Sequence, residues 1–127
     1  MLYSLLCYND QKVTTAWTKE EDDAVMARLE VVHQKWAHKL KPAVRLMPTT
    51  AATTLYKDKN VVMDGPYAET KEQLLGFYLI EADDKDEALA FARDLRGANP
   101  GGAYEIRPVM VYVPYGVEDA KASEPVV

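Results

Sequence analysis

Asp64-Gly65-Pro66-Tyr67-Ala68-Glu69-Thr70-Lys71-Glu72-Gln73-Leu74-Leu75-Gly76-Phe77 begins as a loop and ends as a strand. Gly65-Pro66 breaks regular structure, three charges and a threonine fill positions 69–72, and the chain then turns apolar and aromatic. A turn between paired strands takes roughly two to five residues, whereas this segment runs to about ten. Long ordered loops in small domains tend to carry function, and Pro66, Tyr67 and Phe77 favour order.

Working outward, Thr53–Tyr56 and Val61–Met63 are β-rich runs separated by the polar Lys57–Asn60, which is the pattern of a β-hairpin. Downstream, Leu74–Ala82 reads as a core strand. Asp84, with Glu87 three residues on, starts a helix whose buried stripe is Ala88, Phe91, Ala92 and Leu95. Gly97 is expected to cap it, and Asn99-Pro100-Gly101-Gly102 is a turn cluster. The last strand, Ala103–Val113, alternates: Tyr104, Ile106, Pro108, Met110 and Tyr112 share one face. Pro108 cannot donate a ladder hydrogen bond, so it belongs at an edge or a bulge.

At the other end, Leu2–Tyr8 is apolar on both faces and therefore a central strand, closed by Asn9–Lys12. Thr18 and Glu21 form a capping box, with Glu20, Asp22 and Asp23 near the positive end of the helix dipole. Val25, Leu29, Val32, Trp36 and Leu40 then mark one stripe of a long helix that Pro42 stops. Ala43–Met47 is a short extended segment. The order predicts an α+β fold, a ferredoxin-like βαββαβ sandwich with an inserted β-hairpin. Residues 1–113 form one domain and residues 114–127 a polar, aperiodic tail expected to be mobile. Two helices cover one sheet face. Apolar residues of the first and last strands on the other face predict a sheet-to-sheet homodimer.

The 127 residues suit one domain, and 48% hydrophobic residues suffice for an ordinary core. A net charge of -5 with pI about 5.0 lacks the basic face of a duplex-DNA reader, so no direct nucleic-acid partner is expected. Cys7 is the single cysteine, so no internal disulfide forms. The apolar start lacks a basic leader, and no run approaches a membrane span; a cytoplasmic protein without a membrane partner is expected.

His33 and His38 share a helix but point roughly 140° apart, so no metal site is expected from them. His33 lies beside the buried stripe and admits two readings: a core-edge histidine with one satisfied nitrogen, or a general base facing a cavity. His38 faces solvent. Asp64 either accepts backbone N–H groups in its turn or offers a carboxylate at a cavity mouth. Glu69, Lys71 and Glu72 are solvated charges or a clamp for an anionic ligand. Arg107 either pairs with Glu105 on the surface or binds a carboxylate ligand. Cys7 packs as a small apolar side chain. No G-x-S-x-G, G-x-G-x-x-G or Walker pattern occurs, so no nucleotide cofactor is indicated.

The run Val62–Ile80, with its Asp64-Gly65-Pro66-Tyr67 core, resembles the signature of the DGPF family, the YCII-related group of small bacterial proteins. The similarity continues through Asp86–Leu89 and Tyr104–Val109, with weaker matches at the first strand and Ala52–Leu55. Tyr67 stands where the family usually has Phe, and Leu75 where it often has Gly. The resemblance implies a dimeric α/β barrel and a His-Asp pair in a cavity, Asp64 matching the motif aspartate. One branch of the group acts as a dehydrochlorinating lyase; other members are linked to extracytoplasmic-function sigma factors. Two functions are therefore expected. One is a lyase or isomerase acting on a small anionic metabolite, with Asp64 or His33 as base and Tyr67, Glu69, Lys71 and Arg107 as substrate contacts. The other is a non-catalytic ligand-binding or sigma-factor accessory protein.

Overall fold

A computed structural model describes residues 1–115; most of the expected tail lies outside them. The elements run β1 (Leu2–Asn9), α1 (Gln11–Thr15), α2 (Lys19–Trp36), β2 (Val44–Arg45), a 3-10 turn (Thr49–Ala51), β3 (Thr53–Tyr56), β4 (Val61–Asp64), β5 (Gln73–Glu81), α3 (Lys85–Ala98) and β6 (Ala103–Pro108). Four strands form one sheet in the order β2-β5-β1-β6, all neighbours antiparallel, so β1 is central and β6 is an edge. Strands β3 and β4 pair separately, Thr53 opposite Asp64 and Tyr56 opposite Val61. This is the ferredoxin-like strand order, with α2 and α3 on one face.

The helix starts follow from local chemistry. Thr18 accepts from the Glu21 N–H at 3.1 Å while Glu21 accepts from the Thr18 N–H at 3.3 Å, so two orphan donors of α2 are satisfied reciprocally. Asp84 accepts from the Glu87 N–H at 2.9 Å and starts α3. The α3 stripe of Ala88, Phe91, Ala92, Leu95 and Ala98 is buried against Leu5 and Ile80 of the central strands. Phe91 anchors this core, meeting Tyr78 edge-on at 5.4 Å and Trp36 at 5.5 Å between ring centroids. Among the described residues, no helix is long and apolar enough to cross a membrane.

Several boundaries differ from expectation. Helix α2 ends at Trp36, not near Pro42, because the next residues are recruited by the sheet. Glu81 N–H donates to Lys39 O at 2.8 Å, Lys41 N–H donates to Leu79 O at 2.9 Å, and Leu40 bridges Ile80. Helix α1, absent from the sequence reading, is started by Asp10, whose side chain accepts from the Lys12 N–H at 2.9 Å. Gly97 is helical; α3 ends at Ala98 with Asn99 as its cap, and in the turn that follows the positive-φ residues are Gly101 and Gly102. Strand β6 stops at Pro108, five residues short of Val113. Val109 N–H still reaches Leu2 O at 2.9 Å, but beyond it Met110 and Tyr115 are almost fully exposed.

The open sheet face takes apolar residues from the first strand, as expected, but not from the last. Tyr104 and Ile106 pack against the core, on the helix side. Alternation then leaves Ala103, Glu105 and Arg107 on the open side, so its apolar residues come from the central strands: Leu6, Phe77 and Leu79, all half-buried.

Gly76 and Gly97 make opposite predictions. A Cβ on Gly76 would lie 2.2 Å from the Val44 carbonyl oxygen, a backbone atom that moves only if β2 moves. Gly76→Ala is expected to destabilise by about 1–3 kcal/mol, as overpacking does. A Cβ on helical Gly97 meets nothing within 4 Å, so Gly97→Ala should stabilise by about 0.5–1 kcal/mol. Thermal unfolding of the two variants tests the opposite signs.

Candidate functional site

A cavity of about 550 Å³ lies between α2 and one end of the helix-side sheet face. Its floor follows from strand register. Cys7 on β1 sits opposite Gly76 on β5 and opposite Tyr104 on β6, with Tyr78 one alternate position further along β5. Cys7 is small and Gly76 has no side chain, so the floor is low between the two tyrosines. The roof is the α2 stripe Val25, Leu29 and His33, at four-residue spacing, joined by Met26. The α1 segment with Trp17 and the stretch from Ala43 to Pro48 close the sides. This volume is that of a small-molecule site. Among the described residues its lining contains no carboxylate, and the basic side chains in it are those of Arg45 and His33.

His33 is the junction between helix and sheet. Its Nε2 lies 2.8 Å from the Tyr78 hydroxyl, and its Nδ1 lies 3.6 Å from a Glu30 carboxylate oxygen. The carboxylate favours a proton on Nδ1. The Nε2 lone pair then accepts the Tyr78 O–H, giving the order Glu30, His33, Tyr78 from solvent to cavity. Glu30 is itself oriented by the Gln34 amide, which donates at 2.7 Å. That hydrogen bond, more than the neighbouring His33, holds the Glu30 carboxyl below the usual carboxylate range.

The other protic groups stay neutral. Burial pushes the Cys7 thiol up to about 12. Burial, reinforced by Cys7, pushes the Tyr104 phenol up to about 12. The Tyr78 phenol is raised further, chiefly by burial and then by Cys7 and Tyr104. Desolvation disfavours the charged form of each acid, so near neutral pH the floor presents two phenols and a thiol, all protonated. Arg45 contributes the positive charge, with its guanidinium 2.9 Å from Asp22 in an exposed pair.

The residues expected from sequence divide sharply. His33 lines the cavity, and its Nε2 is satisfied by Tyr78. Asp64 ends β4, is exposed and lies outside the cavity of its own chain. Its turn is held by backbone, since Gly65 N–H donates to Ala52 O at 2.8 Å, and the Asp64 carboxylate has no hydrogen-bond partner among the described residues. Tyr67 is 77% exposed and stacks on Tyr56 with centroids 5.8 Å apart. Glu69 and Lys71 are exposed on the loop, which is closed instead by Gln73 donating to Thr70 O. Arg107 is on the open face, its Nε donating to Glu105 at 2.8 Å. His38 is exposed.

Sequence reading missed Tyr78, Tyr104 and Arg45 as site residues. A signal existed for Tyr78: alternation along β5 places it on the Ile80 side, the side on which His33 projects from the α2 stripe. Nothing local marks Tyr104 or Arg45, whose places depend on which strands become neighbours.

The model of the YCII-related domain matches residues 1–113. The chain belongs to the YCII-related family. An uncharacterized protein of Rhizobium meliloti (strain 1021) is 60% identical over 119 residues, covering 90% of this chain and 96% of that protein. Among solved structures, 5-chloro-2-hydroxyhydroquinone dehydrochlorinase of Burkholderia phenoliruptrix AC1100, in complex with 2,5-dihydroxybenzoquinone, superposes with a TM-score of 0.53 at 14% identity. The match covers 88% of this chain and 96% of that one, and at that identity it shows a shared fold.

The thiol offers a direct test of the neutral floor. A thiolate-selective disulfide reagent should label native Cys7 on the order of 1000-fold more slowly than the urea-unfolded chain in mildly alkaline buffer, because a thiol near 12 is almost wholly protonated there. Equal rates would mean that Cys7 is ionised or freely solvated.

Proposed function

We propose that the cavity under α2 binds a small metabolite with an apolar body and an anionic or carbonyl end, and that His33 acts through Tyr78 as its general base in an elimination or isomerisation. The observation that carries this reading is the 2.8 Å contact between His33 Nε2 and the Tyr78 hydroxyl at the wall of the cavity. Tyr78 oxygen takes a proton from the ligand as its own proton passes to Nε2, and Glu30 stabilises the imidazolium that forms. The phenolate, costly in this desolvated place, is never formed. Arg45 suits the anionic end: its pair with Asp22 is exposed, so exchanging partners costs little. The dehydrochlorinase on the same fold supports a lyase as one chemistry the architecture hosts, although fold alone does not assign a reaction.

A homodimer accompanies this reading. Leu6, Phe77 and Leu79 form an apolar strip on the open face, and Leu55, Val62 and Met63 of the β3–β4 pair are more than half exposed. Light scattering at micromolar concentration should give twice the 14.3 kDa chain mass; a monomer overturns it.

The choice of base is tested by melting-temperature shifts across a metabolite collection, followed by turnover of the hits. A ligand that stabilises wild type should stabilise Asp64→Asn equally, whereas His33→Gln should lower turnover by about 10²–10⁴-fold. Loss of binding in Asp64→Asn with turnover unchanged in His33→Gln moves the chemistry to the loop.

A further inference from the structure

Tyr104 has a role that the His33–Tyr78 pair leaves open. Its ring packs on the core while its hydroxyl has no hydrogen-bond partner among the described residues, and it lines the cavity floor. The hydroxyl oxygen is not sealed in the core, so it is open to the cavity and available to a molecule inside it. Register places Tyr104 directly across β1 from Cys7, and Tyr78 on the far side of β1, diagonal to the same residue. The two phenols therefore flank the space above Cys7 from opposite strands. Trp17, Leu29 and Met26 give the same cavity an apolar part, while Arg45, Gln11 and Asn99 are among its polar lining residues.

We infer that Tyr104 is the oxyanion donor of the site, and that the ligand is a planar, largely apolar molecule carrying an enolisable carbonyl or a phenolate-like oxygen placed between Tyr104 and Tyr78. The inference rests on the proton-transfer reading above and names its ligand class. A C–H bond beside the carbonyl breaks and its electron pair becomes a C=C bond. The carbonyl π pair moves onto oxygen. The proton enters the Tyr78–His33 relay, and Tyr104 keeps its own proton and donates a hydrogen bond to the new oxyanion. A neutral donor in a dry site strengthens as charge develops on its acceptor. The raised phenol of Tyr104 keeps that donor protonated across the physiological range. Leu29 and Trp17 fit the flat apolar faces of such a ligand, and a strongly hydrated polyanion would lose more water there than the single guanidinium of Arg45 offsets.

The probes are para-nitrophenolate, which presents a delocalised oxyanion on a flat ring, and para-nitroanisole, of closely similar shape without the anion. Calorimetric titration of wild type should show phenolate binding more tightly than its ether. Tyr104→Phe should weaken phenolate by about 10-fold or more, as loss of a hydrogen bond to a charged group does, leaving the ether and the melting temperature unchanged. Equal phenolate affinity in Tyr104→Phe overturns the assignment. Failure of both probes to bind wild type overturns the ligand class but leaves the His33 reading to the metabolite screen. Met26→Trp, which narrows the cavity from its roof, should reduce binding of both probes; undiminished binding would place them elsewhere and overturn the inference together with the cavity.

Discussion

Gly76 is the position on which the rest of the structure depends. It lies on the helix-side face of β5, and the backbone of β2 occupies the space that any side chain there would fill, with the Val44 carbonyl oxygen inside Cβ contact distance. That close approach seats the two-residue β2 on the sheet edge, where Val44 pairs with Phe77 and Arg45 with Gly76. Seating β2 in turn fixes the Ala43–Pro48 wall and brings Arg45 to the cavity. It also leaves nothing projecting from β5 between Leu75 and Tyr78 to fill the space under α2. A single absent side chain thus shapes the edge strand and the cavity floor together.

Above that floor, the contact between His33 and Tyr78 ties α2 to β5 by polar atoms, as the Arg45–Asp22 pair ties it to β2. Burial disfavours ionisation of each acid group it reaches, so Cys7, Tyr78 and Tyr104 hold their protons. Glu30 stands on the solvent side of the His33 ring, and so gives the imidazole a direction.

Much of the fold was legible because its signals are local. The Thr18–Glu21 box, the Asp84 cap, the α3 stripe and the apolar runs of β1 and β5 each depend on residues a few positions apart, and each appears in the structure. Where the reading failed, a distant partner intervened. The stripe continuing to Leu40 looked helical, yet Leu79 and Glu81 drew Lys39–Lys41 into the sheet after Trp36. Gly97 looked like a cap, but α3 continued through it and turned at Gly101 and Gly102, where the chain passes close to Tyr8.

The candidate site divides along the same line. Periodicity and turn chemistry, which belong to neighbouring residues, were enough for the α+β order and for a histidine on the margin of a buried stripe, and the resemblance carried by Asp64–Phe77 was enough for the family. Only the tertiary structure decided that His33 meets Tyr78, that Tyr104 and Cys7 share its floor, and that Asp64, Glu69, Lys71 and Arg107 lie outside the cavity of their own chain. Those outcomes depend on strand order and register, which bring together residues about 30 to 100 positions apart. No local propensity encodes such a meeting; it is settled by which backbone edges can pair once the core is closed.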